Sequence, residues 1–269
     1  MKYVNSPFQW VGGKSRALPH VLPILNNFKK SILVEPFIGA ANISLNYDSE
    51  GYIWNDYNKD LIDSYNVMFK EPEKYIEISK RLFEFGFDSY EAIRDKFNSG
   101  KFNEVERAAI FQYLNKHGFN GLCRYNKNGL FNVSKGTVTK NPKVVPSDSI
   151  IALSEKHRDN TELHNKNFSE IFELIKGRDD CLVYSDPPYV PLTSNFKYTK
   201  DGFNLEQQEE LKKLSKECNS VAMISNHWTP YTENLYSDAD EIHLFDLQRT
   251  VSSDGSNRKK VQECLVVYY

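Results

Sequence analysis

The segment CLVYSDPPY at residues 181–189 joins an apolar run to a rigid acidic turn. A short continuous apolar run that ends in turn residues is typical of a strand buried on both faces of a parallel sheet. The runs ILVEPF at 32–37 and VAMISN at 221–226 have the same character. Together these runs predict an α/β fold built on a doubly wound, Rossmann-like sheet.

The segments around these runs supply helices and further strands. Residues 31–70 predict a strand, a glycine turn, a short helix, the strand YIWND and a helix opened by Asn58. Residues 160–269 resume the sheet, with a capping box at Asn204 and Gln207 and the closing strand ECLVVYY. Residues 72–150 predict two or three helices followed by a loop or hairpin. We therefore predict a main domain formed by residues 1–70 and 151–269, with an inserted module at 71–150.

Charge is unevenly distributed in this chain, whose net charge is −2. Residues 107–143 contain seven basic side chains and no acidic one, and a second basic cluster contains Arg249, Arg258, Lys259 and Lys260 near Asp254. A single charge run is usually a solvated face. Two such runs in a mildly acidic chain favour a polyanionic partner, because basic side chains that displace phosphate counterions supply most non-specific affinity for nucleic acid.

Composition argues against several other classes of protein. No apolar run approaches the length needed to cross a bilayer, and the first residues lack a signal-peptide core, so we expect a cytoplasmic protein without a membrane partner. The four cysteines are widely spaced and the six histidines show no metal-ligand spacing. We therefore expect reduced thiols and no metal site.

The turn Asp186-Pro187-Pro188-Tyr189 follows a predicted central strand, at the edge of the sheet where ligands gather in open α/β folds. The Asp186 carboxylate and the Pro187 carbonyl can accept the two hydrogens of a planar amino group, and the prolines hold both acceptors in place. Tyr189 offers a flat face on which a base can stack. The alternative is an ordinary strand-ending turn, which explains Asp-Pro but explains the four residues together less well.

The segment EPFIGAANISLN at 35–46 predicts a strand, a small-residue turn at Gly39 and a helix. It lacks the GxGxxG pattern of nicotinamide dinucleotide sites, and FQWVGGK around Lys14 is too short for a phosphate-binding Walker A loop. Asp56 ends the next strand, 17 positions after Gly39, which is close to the ~20-residue spacing at which an acid binds ribose hydroxyls. These features indicate a nucleoside-binding edge. Trp10 is either a core residue or a ring that contacts a cationic sulfonium.

The chain resembles the Dam-type DNA adenine N6-methyltransferases of bacteria and phages, of the α group. The segments that carry the resemblance are FQWVGGK, VEPFIGAANISLN, the acidic strand end, YLNKHGFNGLCRYNKNGLFNV, DPPY and TVSSDGSNRKKVQE. It implies a catalytic domain that binds S-adenosyl-L-methionine and an insert that recognises double-stranded DNA. The implied cofactor-binding residues are Trp10, Lys14, Phe37, Gly39, Asp56, Phe168 and Asp186. The implied catalytic residues are Asp186, Pro187, Pro188 and Tyr189.

The resemblance also implies how DNA is read. The target adenine is flipped out of the helix. Phe119 fills the gap, Arg124 reads a guanine and Leu122 touches a thymine methyl group. Read without the resemblance, Phe119 and Leu122 could equally be hairpin core, and Arg124 a phosphate contact. The other implied DNA contacts are Gln9, Lys116, Asn120, Ser134, Arg258 and Lys259.

Four positions depart from the family pattern. Gln9 replaces a lysine that contacts the first guanine of GATC, and Ser134 and Val138 replace a proline and a tyrosine. Ala41 replaces a second glycine, which alanine can do if the backbone angle there is ordinary. We expect GATC as the target and a monomer as the active unit. The alternatives are an amino-methyltransferase for RNA or protein glutamine and a non-catalytic DNA-binding regulator.

Overall fold

The computed structural model describes residues 3–85, 89–137, 144–190, 203–248 and 260–269. The strands are β1 (Ile32–Glu35), β2 (Gly51–Asn55), β3 (Thr161–His164), β4 (Cys181–Ser185), β5 (Val221–His227), β6 (Glu241–Gln248) and β7 (Lys260–Tyr268). The α-helices are α1 (Leu18–Leu25), α2 (Asn42–Asn46), α3 (Lys59–Lys70), α4 (Pro72–Phe85), α5 (Tyr90–Ser99), α6 (Glu104–His117), α7 (Ser147–His157), α8 (Phe168–Leu174), α9 (Leu205–Glu217) and α10 (Pro230–Leu235). Short 3₁₀ helices lie at Lys14–Arg16 and Phe119–Gly121.

The chain divides into two compact units. The first unit comprises Met1–Ser15, Gly39–Asn46 and Asn58–Asn165, and the second comprises Arg16–Ile38, Tyr47–Tyr57 and Lys166–Tyr269. The first unit is thus wider than the insert at 71–150 that the sequence predicts. The assignment of that insert to target recognition remains a prediction.

The sheet confirms the predicted α/β fold. Within the described residues, its strands run in the order β3-β2-β1-β4-β5-β7-β6. β1 lies parallel to β2 and to β4, and β4 lies parallel to β5. β7 is antiparallel to both β5 and β6. The predicted strands in ILVEPF, YIWND, CLVYS, VAMISN and ECLVVYY all form.

Burial on both faces explains the apolar runs. All five residues of β4 are buried, and Val34, Val183 and Ile224 belong to one core cluster across the parallel strands. The same cluster includes side chains of α8 and α9, so helices cover the sheet. The sequence reasoning missed β6, whose residues alternate in exposure as an edge strand does, with Leu244 half-exposed and Phe245 buried.

Polar side chains begin the helices where the sequence predicts. The Asn58 side chain accepts a hydrogen bond from the Leu61 amide at the start of α3. Asn204 and Gln207 form a complete capping box at the start of α9. In the first unit, α4, α5 and α6 precede isolated bridges between Gly118 and Lys135 and between Tyr125 and Phe131. Helices and a hairpin therefore form in this stretch, whereas its status as an insert at 71–150 stays a prediction.

In the part of the chain that the structure describes, no helix is long and apolar enough to cross a membrane. The same residues contain no group of three or more His, Cys, Asp or Glu side chains arranged to hold a metal ion. None of the four cysteines, which all lie within the described residues, forms a disulfide bond.

Candidate functional site

Acidic side chains follow three neighbouring parallel strands of the second unit. Glu35 ends β1 and is buried, whereas Asp56 follows β2 and Asp186 follows β4, and both are half-buried. The register pairs Val34 with Ile53 on one side and with Val183 on the other, so the three strands end at the same edge. This is the carboxyl edge, at which open parallel sheets bind their ligands. The structure places Asp56 and Asp186 at this edge, and their roles in binding and catalysis stay predictions.

Asn55, at the end of β2, organises the loops at this edge and was missed by the sequence reasoning. Its Nδ2 donates to the Pro36 carbonyl at 2.9 Å and to the Lys166 carbonyl at 3.1 Å, and its Oδ1 accepts from the Lys166 amide at 2.9 Å. The Asn55 carbonyl accepts from the Ile38 amide at 2.7 Å. One buried amide therefore fixes the segment that carries Phe37 and the approach to α8.

Three phenylalanines form a cluster in the second unit. The rings of Phe37 and Phe168 stack with centroids 5.5 Å apart, and Phe203 contacts the edge of Phe37 at 5.5 Å and the ring of Phe168 at 5.4 Å. Phe168 is 4% exposed, whereas Phe37 and Phe203 are partly exposed. The predicted pair Phe37 and Phe168 is thus in contact. Phe203 is an addition that no sequence motif indicated.

The residues 186–189, called here the acidic turn, and the adjoining Val190 are held by three side chains. The buried Gln208 donates from Nε2 to the Pro188 carbonyl at 2.8 Å. The Val190 amide donates to Oδ1 of the buried Asn226 at 3.0 Å, and His227 Nδ1 hydrogen bonds to the Val190 carbonyl at 2.9 Å. Asn226 Nδ2 donates in turn to Gln208 Oε1 at 3.0 Å. The backbone is therefore fixed by buried amides as well as by its prolines.

Tyr189 has a hydroxyl partner and a ring partner. Its hydroxyl donates to Glu263 Oε2 at 3.1 Å, and its ring meets His227 edge to face at 4.8 Å. Burial raises the pKa of Tyr189 well above its usual value, and the carboxylates of Asp186 and Glu263 raise it further. The hydroxyl accordingly stays protonated and remains a donor. Glu263 lies in the predicted motif VQE, but its link to Tyr189 could not be read from the sequence.

In the first unit, Trp10 packs directly against the glycine turn. A Cβ atom on Gly39 would lie 2.8 Å from Trp10 Cδ1, and Gly39 has a φ of +45°. The Tyr65 hydroxyl donates to the Gly39 carbonyl at 2.7 Å. Lys14 is buried, and its ammonium group donates to the Gly12 carbonyl at 2.8 Å. The structure thus brings Trp10 and Gly39 together, while Lys14 braces the neighbouring turn.

Ala41 corrects an expectation about this turn. Its φ is +53°, in the left-handed region that favours glycine, so the backbone angle is not ordinary. A left-handed residue with a Cβ atom costs roughly 1–2 kcal/mol. The buried Ala41 is held there by the start of α2, because its carbonyl accepts from the Leu45 amide at 3.0 Å.

The predicted DNA contacts within the described residues lie in the first unit. The Phe119 side chain is 48% exposed, and its amide donates to the Ser134 carbonyl at 2.9 Å. Arg124 is exposed, and its Nε donates to Asn132 Oδ1 at 2.8 Å across the hairpin. Gln9, Asn120 and Ser134 are exposed, whereas Lys116 and Leu122 are half-buried. Arg258 and Lys259, like Val138, lie outside the described residues.

A partly buried network ties this hairpin to α3. The Tyr125 hydroxyl donates to Asp60 Oδ2 at 2.6 Å, and Arg107 Nε donates to Asp60 Oδ1 at 2.8 Å. The Arg107 guanidinium lies 4.1 Å from the centroid of the Phe97 ring. Arg107 therefore neutralises a largely buried carboxylate, and this residue of the basic run has a structural function.

The acids at the carboxyl edge of the parallel strands and the braced acidic turn form a ligand site of the kind found in α/β enzymes, and the family comparison identifies the class as a methyltransferase. The chain belongs to the D12 class N6 adenine-specific DNA methyltransferases, whose family model matches residues 10–251. The predicted Dam-type family and adenine-specific DNA methyltransferase activity are confirmed by this membership.

Curated relatives align with the whole chain. It is 35% identical over 282 residues to a DNA adenine methylase of Escherichia coli K12, covering 100% of this chain and 96% of the relative. It is 37% identical over 278 residues to a DNA adenine methylase of Vibrio cholerae, covering 100% and 97%. A DNA adenine methylase of Haemophilus influenzae is 36% identical over 280 residues, covering 99% and 95%.

Proposed function

We propose that this enzyme transfers a methyl group from S-adenosyl-L-methionine to N6 of an adenine that is flipped out of duplex DNA, with GATC as the target. The observation that carries the proposal is the acidic turn at the carboxyl edge of the sheet, held by Gln208 and Asn226. A transfer reaction benefits from acceptors that are in place before the substrate arrives, because no reorganisation is then needed in the transition state.

The residues of the second unit fit the proposed cofactor. Asp56 supplies a carboxylate for ribose hydroxyls at the end of β2, and the partly exposed Phe37 and Phe203 offer apolar surface beside Phe168 for a flat adenine ring. S-adenosyl-L-methionine supplies an activated methyl group on a cationic sulfur. Trp10, Lys14 and Gly39 of the first unit are proposed as further cofactor contacts on the basis of the family.

The acidic turn supplies the acceptors for the target amine. Asp186 accepts one N–H hydrogen and the Pro187 carbonyl accepts the other, so electron density stays on the nitrogen as it attacks. Gln208 already uses the neighbouring Pro188 carbonyl, which favours Pro187 as the second acceptor. Tyr189 stacks on the base, with its hydroxyl anchored on Glu263. These groups thus orient the adenine and increase the nucleophilicity of its amino nitrogen.

The exposed groups of the first unit suit duplex recognition. Phe119 presents an apolar ring that can fill the space left by a flipped base, and Arg124 presents a guanidinium braced by Asn132 that can pair with guanine O6 and N7. Leu122 is proposed to touch a thymine methyl group. The remaining proposed contacts are Gln9, Lys116, Asn120, Ser134, Arg258 and Lys259. We propose that the enzyme acts as a monomer in the cytoplasm.

The test is methyl transfer by the purified chain with labelled S-adenosyl-L-methionine and either duplex DNA, RNA or protein. Asp186→Asn keeps the side-chain shape but removes the carboxylate, and we expect kcat to fall by about 100- to 1,000-fold. Asp180→Asn is the matched control, because Asp180 flanks the other end of β4 and pairs with Arg178 at 2.8 Å. Duplex affinity should stay similar in both variants.

Three outcomes would contradict the proposal. Label in RNA or protein alone would assign a different substrate to the acidic turn. Equal inactivity of wild type and Asp186→Asn, with intact duplex binding, would favour a non-catalytic DNA-binding regulator. An equal loss in Asp180→Asn would show that the effect of Asp186→Asn reflects the fold rather than the chemistry.

A further inference from the structure

Asn115 makes an unusual set of contacts inside the first unit. It lies in the last turn of α6 and is fully buried. Its Oδ1 accepts from the Gln9 amide at 2.9 Å, and its Nδ2 donates to the Gln9 carbonyl at 2.6 Å. The same Nδ2 donates to the Gly121 carbonyl at 3.1 Å. One side chain therefore holds both backbone groups of Gln9 and also reaches the 3₁₀ turn that contains Phe119.

Gly121 also packs closely against Gln9. A Cβ atom at Gly121 would lie 2.7 Å from Gln9 Cβ and 3.0 Å from the Gln9 carbonyl oxygen. Gly121 also has a φ of +68°, which favours glycine. The backbones of the segments around Gln9 and Gly121 are therefore in close contact. The buried side-chain amide of Asn115 binds both segments and fixes their relative position.

We infer that Asn115 is a positioning residue that sets where the exposed Gln9 side chain meets the target DNA, relative to Phe119 and Leu122. This inference rests on the proposed function, in which these residues contact the duplex. Asn115 binds both the backbone N–H and the backbone carbonyl of Gln9. The Gln9 side chain therefore adjusts to the DNA by rotation about its own bonds. Base discrimination needs a reading group held within about 0.5 Å, because hydrogen bonds to base edges are directional.

A merely structural role for Asn115 makes a different prediction. Gln112 lies about one turn earlier on α6, is equally buried, and donates from Nε2 to the Pro7 carbonyl at 3.3 Å. Both amides therefore join α6 to the same N-terminal segment, but only Asn115 holds Gln9. If Asn115 serves stability alone, isosteric acids at the two positions should have similar consequences for base selectivity.

The experiment compares Asn115→Asp with Gln112→Glu. Asn115→Asp keeps the acceptor for the Gln9 amide but turns the second group into an oxygen that faces the carbonyls of Gln9 and Gly121. The readout is kcat/KM on duplexes in which each base pair of the preferred site is replaced in turn. We expect Asn115→Asp to lower discrimination at the base pair that Gln9 faces by about tenfold, with Gln112→Glu within about twofold of wild type.

Gly121→Ala is the second variant, because it displaces the same Gln9 contact without altering α6. It should change selectivity at the same base pair as Asn115→Asp, and it serves as the test if Asn115→Asp does not fold. A uniform loss of kcat/KM across all duplexes, with unchanged discrimination, would overturn the inference. A wild-type chain that methylates no duplex would instead overturn the proposed function.

Discussion

Tyr189 and Glu263 show how the acidic turn depends on side chains that the motif itself does not contain. The hydroxyl of Tyr189 donates to a carboxylate three strands away in sequence, on β7. Hydrogen bonds to charged groups contribute about 1.5–3 kcal/mol. The pKa of Tyr189 is raised, chiefly by burial, so the bond persists wherever Glu263 is ionised.

We predict that Tyr189→Phe lowers the free energy of unfolding by about 1–2 kcal/mol, and Glu263→Gln by less, because a glutamine oxygen still accepts. Both losses arise from one contact, so the double variant should be non-additive by about 1 kcal/mol. Urea unfolding of the two single variants and the double variant measures this coupling. Strictly additive losses would mean that the hydroxyl and the carboxylate do not interact.

Gly39 is required for two reasons that can be separated. Its φ of +45° favours glycine, and a Cβ atom there would meet the Trp10 indole at 2.8 Å. Gly177 provides the matched control, since it has a φ of +77° but nothing within 4 Å of a built Cβ atom.

We predict that Gly177→Ala costs about 1 kcal/mol, from backbone conformation alone, and that Gly39→Ala costs about 1–3 kcal/mol more because Trp10 must move. Thermal and urea unfolding measure both variants, and cofactor affinity should fall only in Gly39→Ala. If both variants lowered the free energy of unfolding equally, displacement of the Trp10 indole would have no energetic cost.

The hairpin between Gly118 and Lys135 is an element in which side-chain bonds supplement a few backbone contacts. Its two sides form isolated bridges, and Tyr125 joins it to Asp60 on α3, whose side chain is 11% exposed. Arg107 shares the same carboxylate. The hairpin that carries Arg124 is therefore stabilised by a partly buried network around the Asp60 carboxylate.

We predict that Tyr125→Phe loosens this hairpin while leaving the sheet of the second unit intact. Loss of a buried hydroxyl bonded to a carboxylate costs about 1.5–3 kcal/mol. Hydrogen exchange of the Asn126 and Asn132 amides, which bond to Leu130 and Arg124 across the hairpin, should speed up by about tenfold or more. Tyr113→Phe is the control, since Tyr113 packs through its ring on His117. If these amides exchanged at the wild-type rate in Tyr125→Phe, the hairpin would be stabilised by contacts other than the Tyr125–Asp60 hydrogen bond.

Elements that depend on local sequence could be predicted, whereas contacts between distant residues could not. The apolar runs and the caps at Asn58 and Asn204 are local signals, and each forms the predicted element. Asn55 and Asn226, by contrast, act through partners more than 15 positions away in the chain. A buried polar residue closing an apolar run, as both do, is the signal that could have flagged them.

For the molecule as a whole, the motifs predicted the sheet and its acidic edge but not the groups that fix them. Parallel pairing brings Asp56 and Asp186 to one edge by register alone, which makes their position predictable. The links from Gln208 to Pro188 and from Glu263 to Tyr189 join segments whose proximity only the fold reveals. The left-handed backbone angle of Ala41 could not be predicted for the same reason, because it depends on the packing of the turn.

The proposed function is tested most directly by sequencing, with detection of modified bases, of DNA from methylation-deficient cells that express this chain. We predict N6-methyladenine in GATC sites with the wild-type chain and none with Asp186→Asn, because the acceptor carboxylate at the end of β4 is then lost. Asp180→Asn should give the wild-type pattern. Unmodified adenine throughout the wild-type sample, or an identical pattern with Asp186→Asn, would contradict the role assigned to the acidic turn.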